Sequence, residues 1–179
     1  MPIVPATAAA VPPALTPGPL PCVLDIEASG FGRASYPIEV GYVLPDGRAA
    51  CMLVRPPASW THWDPGAERV HGITRDVLAA YGRAPQDVAA ALNRDLAGLT
   101  VYCDGWAHDY SWLGALYEEA GLQPAFRLES VSALLDEPHL AQLDDARRAA
   151  VAEMGLQRHR ASNDARALQR ALGRVSAAR

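Results

Sequence analysis

One apolar run constrains this chain more than any other stretch. Cys22-Val23-Leu24-Asp25-Ile26-Glu27-Ala28 reads as a strand, carries two carboxylates and breaks at Ser29-Gly30. Side chains two apart along a strand share a face, so Asp25 and Glu27 would stand side by side at its end. Two anions held that close destabilise each other unless a cation joins them. Oxygen donors of this kind suit a hard divalent ion, Mg²⁺ or Mn²⁺. Taken alone, Asp-x-Glu favours a plainer reading, a strand running out into a solvated acidic turn. The choice depends on whether later segments supply further ligands.

At 179 residues the chain has the size of one domain, and a hydrophobic content of 50% excludes a disordered protein. Its net charge of −4 gives no overall attraction for nucleic acid. There is no lysine: all 16 basic residues are arginine, and half of them fall in the last 33 positions. Arginine grips phosphate through paired N–H donors, so a local basic surface is compatible with the acidic total, although a coding bias towards Arg and Ala weakens that reading. Cys22, Cys51 and Cys103 are widely spaced in apolar runs. They are expected as buried thiols in a reducing compartment. Residues 1–21 are expected to form a disordered Pro/Ala-rich tail without the basic start of a signal peptide, and residues 22–179 a single domain. No apolar run is long enough to span a bilayer, so a cytoplasmic protein with no membrane partner is expected.

Periodicity places strands at 23–27, 37–44 and 49–55, the last two joined by a Pro45-Asp46-Gly47-Arg48 turn. Thr74 caps a short helix over 75–81, and Pro85 opens another with Val88, Leu92 and Leu96 on one face. A strand at 99–103, a helix at 109–120, a weaker strand at 126–131 and helices at 140–154 and 163–175 complete the order. An antiparallel meander followed by alternating helices and strands predicts an α/β fold, a mixed five-stranded sheet with helices on both faces.

Further acids stand at element ends. Asp104 follows the fourth strand and Asp109 lies in the first turn of the next helix, where a helix N-terminus also favours an acid for its own sake. Histidine with aspartate five residues on occurs at His71/Asp76, His139/Asp144 and His159/Asp164, so that spacing alone selects none of them.

The combination does select. Asp25-Ile26-Glu27, Ala28-Ser29-Gly30-Phe31, Ile38-Glu39-Val40-Gly41, Val70-His71-Gly72-Ile73-Thr74, Asp109 and His159-Arg160-Ala161-Ser162-Asn163-Asp164-Ala165 follow one another in an order that resembles the DEDDh 3′–5′ exonucleases. These are the proofreading-exonuclease and RNase T relatives on the ribonuclease H-like fold, and the likeness covers roughly residues 22–175. It implies a metal-dependent hydrolase that releases nucleoside 5′-monophosphates from the 3′ end of single-stranded RNA or DNA. Asp25, Glu27, Asp109 and Asp164 would hold two Mg²⁺ or Mn²⁺ ions, with His159 as general base. Ala28, Ser29, Gly30 and Phe31 would hold the terminal nucleotide, with His71 and Arg160 as further substrate contacts and His71 in the turn before the first helix. Family members often have His-Asn where this chain has Cys103-Asp104, so Asp104 is the fallback third acid. Glu39 is expected as a satisfied structural acid, and Trp60, Trp63 and Trp106 as possible base platforms, with Trp112 in the core. The resemblance admits a homodimer, though no interface pattern stands out. The competing reading keeps the fold and drops the chemistry, as an inactive nucleic-acid-binding module.

Overall fold

The computed structural model describes residues 19–177. The tail expected over 1–21 therefore lies, for residues 1–18, outside the described residues.

Seven residues of β1 (Cys22–Ala28) lie at the centre of the sheet. β2 (Pro37–Val43) runs antiparallel to it and is buried at every position, as a strand covered on both faces must be. The Asp46-Gly47 turn returns the chain as β3 (Ala49–Leu53), with Gly47 at φ 85° and the Leu44 N–H donating to Arg48 O at 2.8 Å. β4 (Thr100–Cys103) and β5 (Arg127–Ser130) pair in parallel on the other side, giving the order β3-β2-β1-β4-β5. The predicted mixed five-stranded sheet is the observed one.

Helices cover both faces. Between β3 and β4 come α1 (Pro65–His71), α2 (Arg75–Tyr81) and α3 (Pro85–Leu96). α4 (Trp106–Ala120) links β4 to β5, and α5 (Glu137–Met154) and α6 (Ala161–Ala177) end the described chain. Leu24 and Ile26 of β1 pack with Val88, Leu92 and Leu96 of α3 and Leu113 and Leu116 of α4. Val23 packs in a second cluster with Leu143 of α5 and Leu168 and Leu172 of α6. Alternation along β1 therefore puts Asp25 and Glu27 on the Val23 face, beneath α6.

α2 has the predicted limits, with Thr74 Oγ1 accepting from Val77 N at 3.2 Å. α1 was not anticipated. Its ends are well specified, by an Asp64 side chain accepting from Gly66 N and by Gly72 at φ 70°, but His71 is its one buried residue, so it carries no apolar stripe. His71 thus closes a helix instead of standing in a turn before the first one. α4, α5 and α6 each start two or three residues before the expected limits; at α5 the Asp136 side chain accepts from His139 N and at α6 Glu39 accepts from Ala161 N, whereas α4 begins after Gly105 without a side-chain cap. β3 is shorter than expected, and Val54 makes a single bridge to Arg83. Cys22 and Cys103 are buried as expected, but the alternation of edge strand β3 turns Cys51 outward. No helix among the described residues is long and apolar enough to cross a membrane.

Candidate active site

The first turn of α6 rests directly on β2 because position 41 is glycine. A Cβ there would stand 2.1 Å from Ser162 N and 2.4 Å from the Ala161 carbonyl carbon. Next to it, Glu39 faces Glu27 across the β1–β2 ladder, so both carboxylates share the α6 side. Glu39 is 0% exposed and fully engaged: Arg160 donates through Nη2 at 2.6 Å and Nε at 3.1 Å, and Ala161 N donates at 2.8 Å. One buried acid thus fixes the entry to α6.

That entry delivers His159 and Asp164. Asp164 lies in the first turn of α6, where the helix dipole favours a carboxylate. Its Oδ2 accepts from the backbone N–H of His159 at 2.6 Å, folding the preceding residues back on the helix. His159 adopts φ 59°, and it is the one non-glycine residue with positive φ among those described. For a side chain other than glycine that conformation costs about 1–3 kcal/mol and persists only where neighbouring structure holds it. The ligand atoms of Glu27, His159 and Asp164 lie within 4.8 Å of one another.

α4 brings the remaining acid. Asp109 is 3% exposed in the first turn, its carboxylate lying over Gly105, where a Cβ would come within 3.1 Å of Oδ2. Asp104 also borders the cavity, but its carboxylate is held in an ion pair by Arg147 of α5.

Burial and crowding raise the affinity of these acids for protons. Asp25 titrates well above the usual carboxylate range, chiefly from burial and then from Asp109, Glu27 and Asp164 nearby. Glu27 is pushed up to about 7 by burial, with Asp164 and Glu39 adding to the effect and Arg160 and Arg158 opposing it. Burial also brings Asp109 to about 7, against a lowering contact from Cys103. Asp109 Oδ2 and Asp164 Oδ1 are buried without a hydrogen-bond partner. Unpaired buried carboxylate oxygens are costly. Two such oxygens, from α4 and α6, border the cavity that Asp25 and Glu27 of β1 also line, and oxygen donors of this kind suit hard divalent cations.

These residues line one cavity of about 440 Å³. Ala28, Gly30, Phe31 and His71 line it as well, and so do His108, Trp112, Arg147 and Arg158. Phe31 is 69% exposed, which excludes core packing for it, and its ring meets His108 edge-on at 5.3 Å. His108 in turn stacks on Trp112 at 5.5 Å. His71 Nδ1 accepts from Ile73 N at 3.0 Å, which leaves the proton of a neutral ring on Nε2, a buried and unpartnered atom. Burial lowers the His71 pKa and favours that neutral form.

Two residues expected at the substrate are placed differently. Ser29 is 1% exposed; its Oγ accepts from Tyr36 N at 3.1 Å and meets His62 Nδ1 at 3.2 Å, so it ties down the turn after β1. Arg160 is turned onto Glu39, and its neighbour Arg158 faces the cavity instead. Trp60 stacks on Tyr36 and Trp63 donates to Glu68, both in a separate cluster under α2. Trp112 lies in the core as expected and also borders the cavity, whereas sequence reasoning did not single out His108. Their spacing of four on one helix was the available signal.

No family model matches the sequence, and no curated protein matches it. Solved structures do match. The fold belongs to the ribonuclease H-like class, an α/β sheet of mixed strand direction. Within that class the chain is similar to exonuclease I structures. E. coli Exonuclease I in complex with a dA16 oligonucleotide superposes with a TM-score of 0.63 at 14% identity, over 83% of this chain and 38% of that one. An apo Exonuclease I gives 0.66 at 14% identity, over 88% and 42%. The Exonuclease I of Methylocaldum szegediense gives 0.59 at 16% identity, over 82% and 38%. The chain thus spans 38% to 42% of the length of these structures.

Proposed function

We propose that the chain is a metal-dependent 3′–5′ exonuclease that releases nucleoside 5′-monophosphates from single-stranded nucleic acid. The observation that carries this reading is the convergence of Asp25, Glu27, Asp109, Asp164 and His159 on one cavity, with buried carboxylate oxygens left unpaired. The likeness to exonuclease I folds supports it.

Asp25, Glu27, Asp109 and Asp164 would hold two Mg²⁺ or Mn²⁺ ions. When bound, such ions lower the pKa of a water and neutralise charge on a leaving oxygen. His159 accepts the proton of the attacking water on a ring nitrogen, a task suited to an imidazole, whose ordinary pKa is near ~6.5. Its backbone bond to Asp164 and the Glu39 clamp keep the ring beside Glu27. Phe31, His108 and Trp112 offer a stacking surface to the terminal base. Ala28 and Gly30 let the substrate come close to backbone. The neutral Nε2–H of His71 offers a hydrogen bond to an acceptor oxygen of the nucleotide.

The test is a 5′-labelled single strand, as RNA and as DNA, incubated with Mn²⁺. Stepwise shortening from the 3′ end is expected, lost with EDTA and in Asp25→Ala. In His159→Ala turnover should fall about 10²–10⁴-fold while cation affinity, measured by calorimetry, stays close to that of the parent. Binding of the strand without shortening would instead make the chain a nucleic-acid-binding module. Comparable rates on the two oligonucleotides would mean that the pocket does not read the 2′-hydroxyl.

A further inference from the structure

A second groove opens from the acidic cavity. It has a volume of about 410 Å³ and is lined by Asp144, Arg147, Arg148 and Val151 of α5 together with Arg158. Arg147 and Arg158 belong to both walls, so the groove continues the site and is not a separate hollow. The charge pattern changes along it. The cavity gathers carboxylates, and the groove presents three guanidinium groups against the single carboxylate of Asp144.

These guanidinium groups are held unequally. Arg147 pairs with Asp104 through Nη1, and Arg148 pairs with Asp145 through Nη2. Arg158 reaches Asp164 Oδ1 only at 3.9 Å, through Nε. Arg148 and Arg158 have side chains 69% and 46% exposed. Exposed pairs of this kind contribute about 0–1 kcal/mol, so an incoming phosphate can displace the contacts of Arg148 and Arg158, while Arg147, its side chain 20% exposed, keeps its pair with Asp104 and offers phosphate its remaining N–H donors. A guanidinium has five N–H donors in a planar fork that matches phosphate oxygens. Arg147 and Arg158 also face the acids closely enough to lower the proton affinity of Asp25 and Glu27 respectively.

Resting on the exonuclease reading, we infer that this groove is a phosphate track: Arg147, Arg148 and Arg158 bind backbone phosphates of the strand upstream of the bond being cut. The ligand is a phosphodiester chain of either sugar. Its bases need not be read there, because the residues lining the groove offer guanidinium groups and no aromatic ring.

The experiment compares two substrates that differ in upstream phosphates. A p-nitrophenyl ester of a nucleoside 5′-monophosphate carries the cleaved phosphodiester alone, and a single-stranded oligonucleotide carries the backbone as well. In Arg148→Ala and Arg158→Ala the ratio of oligonucleotide to ester kcat/KM should fall about 3–10-fold per variant, mostly through KM. Binding of the oligonucleotide, followed by fluorescence anisotropy with Ca²⁺ in place of Mn²⁺, should lose about 0.7 from the slope of log affinity against log salt for each arginine removed. An unchanged ratio together with an unchanged slope overturns the track. So do equal losses on both substrates, which would place these arginines in the chemistry or the fold. A parent chain that cleaves neither substrate defeats the exonuclease reading, and the salt slopes of the binding arm then decide the groove without it.

Discussion

Asp104 precedes α4 and Asp109 lies in its first turn; both border the same cavity, yet their surroundings differ. Asp109 is 3% exposed, with Oδ2 buried and unpartnered. Asp104 has its carboxylate occupied by Arg147. An acid already paired with a guanidinium is the poorer cation ligand, and an unpaired buried one is the better. Asp109→Asn is therefore expected to abolish turnover and weaken Mn²⁺ binding at least 10-fold. Asp104→Asn should change cation affinity less than 3-fold. Isothermal titration of both variants checks this, and the reverse order would make Asp104 the third acid. At this scale the order of motifs in the sequence picked out Asp25, Glu27, His159 and Asp164, and all four line the one cavity. It was not legible where direction decides. Arg158 and Arg160 flank the same histidine, and only the φ of 59° at His159, with Glu39 lying 121 residues from Arg160, determines which one faces the cavity.

Among the elements, the entry to α6 carries the most consequence. Gly41 and Glu39 are both in β2, and together they let the helix dock and fix its start. The atoms a Cβ at position 41 would meet are backbone, which cannot rotate away. Gly41→Ala should cost roughly 1–3 kcal/mol in urea unfolding, the usual range for overpacking a core. It should also lower kcat by more than that destabilisation explains at temperatures where the variant stays folded, because His159 and Asp164 ride on the displaced turn. Parent-like turnover in Gly41→Ala would mean that the contact does not set the site. Strands and helices with apolar periodicity, such as β2, α2 and α3, could be placed from sequence. α1 could not, since its limits come from Asp64, Pro65 and Gly72 and it buries only His71. The family resemblance put His71 in a turn, although it stands at a helix end with one ring nitrogen holding the chain and the other buried beside the cavity.

For the molecule as a whole, the acidic cavity sets how stability responds to pH. Glu27 and Asp109 titrate at about 7 in the folded chain, against about 4 for carboxylates in an unfolded one. Between those values the folded chain binds more protons than the unfolded chain. Stability without cations must then fall as pH rises through this window and level off above it. With EDTA present, the melting temperature is expected to be lower at pH 8 than at pH 5. Mn²⁺ needs ionised ligands, so it should raise the melting temperature more at pH 8 than at pH 5. A cation-free melting temperature that climbs over the same interval would contradict the raised proton affinity of the cluster.

The site also draws on widely separated parts of the chain. Asp25 and Glu27 belong to β1, while His159 and Asp164 arrive with α6, 132 or more residues later among those described. During synthesis a ribosome completes the sheet, α3 and α4 before α6 emerges. Until that helix docks under the Glu39 clamp, the growing polypeptide holds neither the histidine nor the final carboxylate. On the proposed function, a nascent chain has no hydrolytic competence until α6 has been made and has docked.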